Sequence, residues 1–230
     1  MKNSQRLVLG LAATGLIFCI AVLATRVIPL HIDFFPESFI THSVMLLLSL
    51  LVIAAFKKNL GFAVSMPYPP SCGKPILFGL LTTVVVNVVL ALAIQVGGIA
   101  PEAHPALAKN TFLQTFLFIF IYASLAEELL VRGFLQNLLA PLRSVNIQVF
   151  KRTLSLPVII SAVVFGLLHL ILLTSEVSGF FVFRIVVFTT VLGLVAGYYQ
   201  EKYNNFAYAV LVHMAGNLPG LLFMLVGAGQ

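Results

Sequence analysis

The sequence predicts an all-α protein, a polytopic helical membrane protein that crosses the bilayer about seven times with its N-terminus in the cytoplasm. Three observations predict this class. Of the 230 residues, 60% are hydrophobic and only 9% are charged. The mean hydropathy is +1.09. The apolar residues also fall into runs long enough to cross a hydrocarbon core of ~30 Å. Soluble domains carry about 25% charged residues, so the composition excludes that class.

Seven apolar runs approach or reach the ~17 to 25 residues that a transmembrane helix needs. They cover residues 7–25, 39–56, 75–98, 111–125, 157–173, 179–199 and 206–226. The fourth run is expected to continue as a helix to about Ala140, and eight is the alternative count of spans. We expect one membrane domain, in which residues 1–110 hold the first three helices and residues 111–230 hold the helical core.

Basic residues fall unevenly on the two sides that these spans define. With the N-terminus inside, nine Lys and Arg lie in cytoplasmic segments and two lie in outer segments, as the positive-inside rule requires. The net charge of +6 is then explained by loops that face anionic lipid, and no nucleic-acid partner is expected. We predict an integral membrane protein of a bacterial or archaeal plasma membrane, for which an oligomer is not required.

Five polar side chains lie inside the apolar runs or in the helical continuation of the fourth run: Glu127, Glu128, His169, His213 and Asn217. An ionised group at the bilayer centre costs about 2.5 to 3.5 kcal/mol on insertion scales unless it has a partner or a water-filled cavity. A chain that retains these groups in its spans is expected to use them.

The two adjacent glutamates are predicted to have different roles. Glu128 and Arg132 are four residues apart, so they can form an ion pair on one helix face. Glu127 is turned by ~100° from Glu128 and has no counter-ion in its own helix. We therefore expect Glu128 to be held by Arg132 and Glu127 to be free to act as a general base. The alternative is an ion pair that caps the cytoplasmic end of a span, with Glu127 solvated.

Two further pairs lie on single helix faces, because each spans four residues: Phe165 with His169, and His213 with Asn217. Taken alone, His169 fits a structural histidine, and the second pair fits polar contacts between membrane helices.

The predicted depths favour one shared site. Measured along the helices from their cytoplasmic ends, Glu127 and His169 lie ~20 and ~18 Å deep, while His213 and Asn217 lie ~10 and ~16 Å deep. Three helices thus bring a carboxylate, two imidazoles and an amide to overlapping levels.

The three patterns together resemble those of the CPBP (Abi) family, which includes the type II CAAX prenyl endopeptidases. These patterns are Glu-Glu-x-x-x-Arg at residues 127–132, Phe-x-x-x-His at residues 165–169 and His-x-x-x-Asn at residues 213–217. The resemblance covers about half of the chain, from Thr111 onward. It implies an intramembrane endopeptidase whose partners are lipid and a membrane-associated protein or peptide.

The resemblance also implies roles for the motif residues. Glu127 and His169 activate a water molecule, and His213 and Asn217 stabilise the oxyanion. Glu128 and Arg132 complete the catalytic set, and Phe165 is assigned to substrate binding.

A metal site is the alternative form of this chemistry. Glu127, His169 and His213 are residue types that bind zinc, and a catalytic zinc site takes three protein ligands and a water. The sequence has no His-Glu-x-x-His motif, and the second glutamate of the pair, Glu128, is expected to be paired with Arg132. We therefore favour a glutamic peptidase without a cofactor over a zinc-dependent one.

Two other functions remain open at this level. One is a proton-coupled transporter in which the same carboxylate and imidazoles relay protons, although no repeat symmetry typical of transporters is present. The other is a non-catalytic binding or immunity scaffold. The sequence names no substrate.

Overall fold

Seven long helices make up most of the protein in this computed structural model. The structure describes residues 1–30, 32–61, 63–98, 102 and 109–227. In that part of the chain, seven helices are long and apolar enough to cross a membrane, which confirms the predicted class and number of spans. They are α1 (Asn3–Val27), α2 (Ser38–Ala55), α3 (Pro69–Gly97), α4 (Phe112–Gln136), α5 (Leu156–Thr174), α6 (Gly179–Tyr203) and α7 (Ala207–Gly227).

Several helix ends differ by a turn or more from the predicted ends, including those of α3 and α4. Helix α3 begins at Pro69, six residues before the predicted start at Pro75. Its first two residues are prolines, which the first helical turn tolerates because its N–H groups have no partner within the helix. Helix α4 ends at Gln136, four residues before the predicted end.

Helix α4 changes its winding along its length. It is α-helical at Phe112–Gln114 and Ser124–Glu128, and π-helical at Thr115–Ala123 and Leu129–Gln136. The two adjacent glutamates therefore lie in a short α-helical piece between two wider segments. Local π-helical turns frequently accompany functional sites, because they change the direction of the side chains that follow.

Short elements join the long helices. Two 3₁₀ turns cover Lys57–Asn59 and Ala140–Leu142. Between α4 and α5, strands β1 (Asn146–Val149) and β2 (Arg152–Ser155) form an antiparallel hairpin that the sequence analysis did not predict. Helix α5 is α-helical over Leu156–Leu168 and 3₁₀-helical over His169–Thr174.

Helix α4 lies at the centre of the bundle and contacts α1, α2, α5, α6 and α7. Its second half supplies much of the apolar core, which includes the fully buried side chains Leu130, Val131, Phe134, Leu135 and Leu138. Helix α3 packs instead on α7, where a Cβ at Gly79 would lie 2.5 Å from the carbonyl oxygen of Val212. This arrangement places the two glutamates of α4 within the bundle.

Small residues allow several of these close contacts. A Cβ at Gly193 would lie 3.1 Å from Cα of Ala162 on α5, and one at Gly216 would lie 2.7 Å from a methyl group of Leu192 on α6. These glycines therefore pack helices within one chain, as small residues do at membrane helix interfaces.

Candidate active site

The most deeply buried part of the site is an ion pair between Arg132 and Glu128. Nη1 of Arg132 lies 3.0 Å from Oε1 of Glu128, and both residues are fully buried. The predicted pairing across one helical turn is therefore present. The guanidinium group also lies 4.5 Å from the centre of the Phe165 ring, in a cation–π contact.

His213 is held between the two glutamates. Its Nδ1 lies 2.9 Å from Oε1 of Glu128, and its Nε2 lies 3.8 Å from Oε2 of Glu127. A carboxylate that is paired with an arginine can only accept hydrogen bonds, so Nδ1 of His213 donates to Glu128. This contact orients the ring and leaves Nε2 directed at Glu127.

Glu127 lies in a different environment from its neighbour. Its side chain is 20% exposed, whereas that of Glu128 is 1% exposed. Its closest polar partner is Nε2 of His42, which lies 3.2 Å from Oε1. His169 also lies within electrostatic range of the Glu127 carboxylate. Glu127 is thus partly accessible. Its ion-pair partners are imidazoles, whereas Arg132 is paired with Glu128 and interacts with Glu127 only at longer range.

Phe165 packs between the two motif histidines. The centre of its ring lies 5.1 Å from that of His169 and 5.5 Å from that of His213, with edge-to-face geometry in both cases. Phe165 is only 1% exposed. The buried Phe165 ring therefore contacts both imidazoles and the guanidinium group of Arg132.

His169 lies where α5 changes from α-helical to 3₁₀ geometry. Its Nδ1 lies 2.9 Å from the carbonyl oxygen of Phe165. A carbonyl oxygen only accepts, so Nδ1 carries a hydrogen, and in the neutral ring Nε2 is the unprotonated nitrogen. The ring is partly exposed. Its free nitrogen can therefore accept a hydrogen bond from a water molecule.

Asn217 joins the site through Ser124. Its Nδ2 donates to Oγ of Ser124 at 3.2 Å, and Ser124 lies one helical turn before Glu128 on α4. The amide is partly exposed, whereas the serine is buried. Helices α4, α5 and α7 therefore bring the predicted residues into one cluster, in which Glu127, His169 and Asn217 are each partly exposed.

Sequence reasoning missed two residues of this cluster, His42 and Ser124. The signal for His42 was the one that drew attention to His169 and His213, namely a histidine within an apolar run. Ser124 had no comparable signal, because a serine in a membrane helix commonly bonds to its own backbone.

The metal alternative has no formed ligand set here. In the described ranges of the chain, no three His, Cys, Asp or Glu side chains are arranged to hold a metal ion. Of the three candidate ligands, His213 and His169 use Nδ1 for Glu128 and for a backbone carbonyl, which leaves Nε2 of each ring as the nitrogen that a metal could bind. Because no group of three ligands is formed in this part of the chain, no step is derived through a metal.

Fold and site together define a class: a multi-pass helical membrane protein with a glutamate–histidine cluster enclosed by its helices. Residues 109–219 match the family model described as type II CAAX prenyl endopeptidase Rce1-like, and this segment contains every motif residue from Glu127 to Asn217. The chain belongs to this CAAX protease family, as its motifs indicated. No match was found among curated proteins or among solved structures.

Membership in the family makes the protein a peptidase of CAAX type that works in the membrane. A membrane protease acts on membrane-associated substrates. His42 lies outside the matched segment, so the family match does not account for the whole cluster.

Proposed function

We propose that the protein is an intramembrane endopeptidase in which Glu127 activates water to hydrolyse a peptide bond of a membrane-associated protein or peptide. The observation that supports this proposal most is the contrast between the adjacent carboxylates. Glu128 is buried and bound by Arg132 and His213, while Glu127 is partly exposed and has no arginine partner. A general base needs such access to the proton that it removes.

In the proposed reaction, the water oxygen attacks the scissile carbonyl carbon. One proton of the water passes to the Glu127 carboxylate, while Nε2 of His169 accepts a hydrogen bond from the same water and orients it. The carbonyl π electrons move to the oxygen and form a tetrahedral oxyanion. When the carbon–nitrogen bond breaks, the proton held by Glu127 passes to the leaving amine.

His213 and Asn217 are proposed to stabilise the oxyanion. Asn217 donates one amide hydrogen to Ser124 and has a second hydrogen for the substrate. Nδ1 of His213 already carries the hydrogen that it donates to Glu128, so a contribution from His213 requires the imidazolium form, with a second hydrogen on Nε2, the nitrogen that faces Glu127. Donors that are fixed before the reaction are effective because they need no reorganisation as charge develops.

The remaining motif residues are proposed to position this machinery. Glu128 fixes the ring of His213, and Arg132 fixes Glu128. Phe165 separates the rings of His169 and His213 and supports the guanidinium group. We propose this role for Phe165 in place of direct substrate binding, because its side chain is buried.

The first experiment compares peptide termini in membranes of the native host that contain either wild-type protein or the Glu127→Gln variant at equal levels. The matched control is Glu176→Gln, which makes the same change at an exposed glutamate between α5 and α6. New termini are expected with the wild type and the control, and not with Glu127→Gln. Asn217→Ala is expected to lower their formation by about 10²- to 10³-fold, the usual cost of an oxyanion donor.

Equal sets of termini from the wild type and Glu127→Gln would contradict the proposed reaction. A chelator added to the wild-type membranes tests the zinc alternative in the same experiment. The glutamic mechanism predicts unchanged formation of termini, whereas a loss that added zinc restores would establish a metal-dependent peptidase.

A further inference from the structure

We propose that His42 is a further residue of the active site and that it positions the carboxylate of Glu127. This inference rests on the proposed function, since it concerns the base of the proposed reaction. It adds a residue from α2, a helix that lies outside the segment of the family match.

The hydrogen-bond partners of the His42 ring determine which of its nitrogens carry hydrogens. Nδ1 of His42 lies 2.8 Å from the carbonyl oxygen of Ser38, and that oxygen only accepts, so Nδ1 carries a hydrogen. The hydrogen bond of 3.2 Å between Nε2 and Oε1 of Glu127 then contains one hydrogen. Glu127 is a carboxylate, as a general base must be, when Nε2 carries that hydrogen and donates it to Oε1.

This leaves Oε2 as the oxygen that can receive a proton from water. It faces Nε2 of His213 at 3.8 Å, on the side of the cluster where the oxyanion donors lie. A carboxylate held by one oxygen cannot rotate freely about its last side-chain bond. With that hydrogen on Nε2, His42 therefore aims the Glu127 carboxylate.

The start of α2 is itself fastened to α4, so His42 is held in place. Oγ of Ser43 accepts a hydrogen bond of 2.9 Å from the Tyr122 hydroxyl group. The ring of Phe39 stacks on that of Tyr122 at 5.6 Å and meets that of Phe118 edge to face at 5.4 Å. These contacts surround His42 on its own helix and reach the stretch of α4 that leads to Glu127.

Most of α2 is apolar and at least partly exposed, so packing alone does not explain a buried histidine at position 42. The helix is apolar, and only 11% of its most hydrophobic window is buried. Its buried residues are His42, Met45 and Ser49, of which Met45 belongs to the apolar core. An apolar side chain would suit position 42 equally well for packing, but it would leave Glu127 without a close partner.

The test uses two substitutions at position 42 and one beside it. His42→Leu removes the hydrogen bond and keeps an apolar side chain of similar bulk. His42→Gln places an amide N–H where it can donate to Oε1. Ser43→Ala is the matched control, because it loosens α2 without touching Glu127. The probe is a synthetic peptide that spans a cleavage site identified from the termini, and rates are measured over a range of its concentrations.

We expect His42→Leu to lower the maximal rate by about 10²-fold, which is the effect of a reacting group that is displaced by about 1 Å. The peptide concentration at half-maximal rate should not change, because His42 does not contact substrate. His42→Gln should recover most of the rate. Ser43→Ala should lower the rate far less than His42→Leu does, because His42 itself still bonds to Glu127. Thermal unfolding of all variants in detergent is expected to confirm that they fold.

A wild-type rate for His42→Leu would overturn the proposal. So would equal losses in both His42 variants together with lower unfolding temperatures, since that result would show a purely structural role. Glu127→Gln is measured in parallel. If Glu127→Gln is inactive and His42→Leu is not, the positioning role alone fails; if Glu127→Gln retains full activity, the proposed function fails as well.

Discussion

The N-terminal and C-terminal halves of the protein differ in how much of their membrane-spanning helices is buried inside the bundle. In α4, 50% of the most hydrophobic window is buried inside the protein, compared with 22% in α1, 11% in α2 and 22% in α3. The C-terminal half thus supplies the interior of the bundle, and the first three helices expose most of their surface. The difference shows that similar hydropathy can serve two purposes, namely burial against protein and contact with lipid.

The interior of the C-terminal half is also more polar. Several of its buried polar residues are bonded to one another or to the backbone. Nε2 of Gln136 donates to the carbonyl oxygen of Gly197 at 3.0 Å and Oγ of Ser161 donates to Oε1 of Gln136 at 3.2 Å. Nε2 of Gln200 donates to the carbonyl oxygen of Arg132 at 3.0 Å, on a π-helical stretch. This network makes α4 a rigid support for the glutamates, and the first half contributes His42 to the site.

The largest predicted effect comes from breaking the buried ion pair in the C-terminal half. Arg132→Met should destabilise the protein by about 3 to 5 kcal/mol, because it leaves the Glu128 carboxylate buried without its cation. Thermal unfolding of the purified protein in detergent measures this loss. The double variant Arg132→Met with Glu128→Gln should recover part of it, because the uncompensated charge is then gone. An Arg132→Met protein as stable as the wild type would show that the pair does not support the fold.

Matched glycine substitutions compare the packing of the two halves directly. A Cβ at Gly166 on α5 would lie 2.9 Å from the carbonyl oxygen of Val186 and closer still to Oγ1 of Thr190, both on α6. Gly166→Ala should therefore cost about 1 to 3 kcal/mol of stability through overpacking. A Cβ at Gly15 on α1 would have no atom within 4 Å.

Gly15→Ala should leave stability unchanged or raise it by about 0.5 to 1 kcal/mol, because alanine favours the helix. Unfolding temperatures of the two variants, measured side by side, test the contrast. Equal losses at both positions would mean that the first helix is packed as tightly as the fifth.

The smallest predicted effect concerns the junction between the halves. Tyr122→Phe removes the hydrogen bond from α4 to Ser43 on α2 and keeps the ring stack with Phe39. Hydrogen bonds between membrane helices average about 0.6 kcal/mol, so a small drop in unfolding temperature is expected. A loss as large as that of Arg132→Met would show that this junction, and not the interior of the second half, holds the bundle together.

Much of the architecture could be predicted because its cause is local. Apolar runs of sufficient length define spans, and the spacing of Glu128 and Arg132 defines a pair on one helix face. The depth estimates were less informative: His213 and Glu127 were placed ~10 and ~20 Å from their helix ends, yet their side chains lie 3.8 Å apart. Helix ends need not be level, and a sequence does not record how far each helix extends beyond its neighbours.

The sequence by itself determined the class, the number of spans, the family motifs and the different environments of the two glutamates. Each of these follows from composition or from spacing within one segment. Only the tertiary structure decided that His213 lies between both carboxylates, that Phe165 is buried between two imidazoles, and that His42 reaches Glu127 from α2. Most of those contacts join residues far apart in the sequence, 85 positions for His42 with Glu127 and for His213 with Glu128. They depend on how the helices pack, which no local pattern specifies.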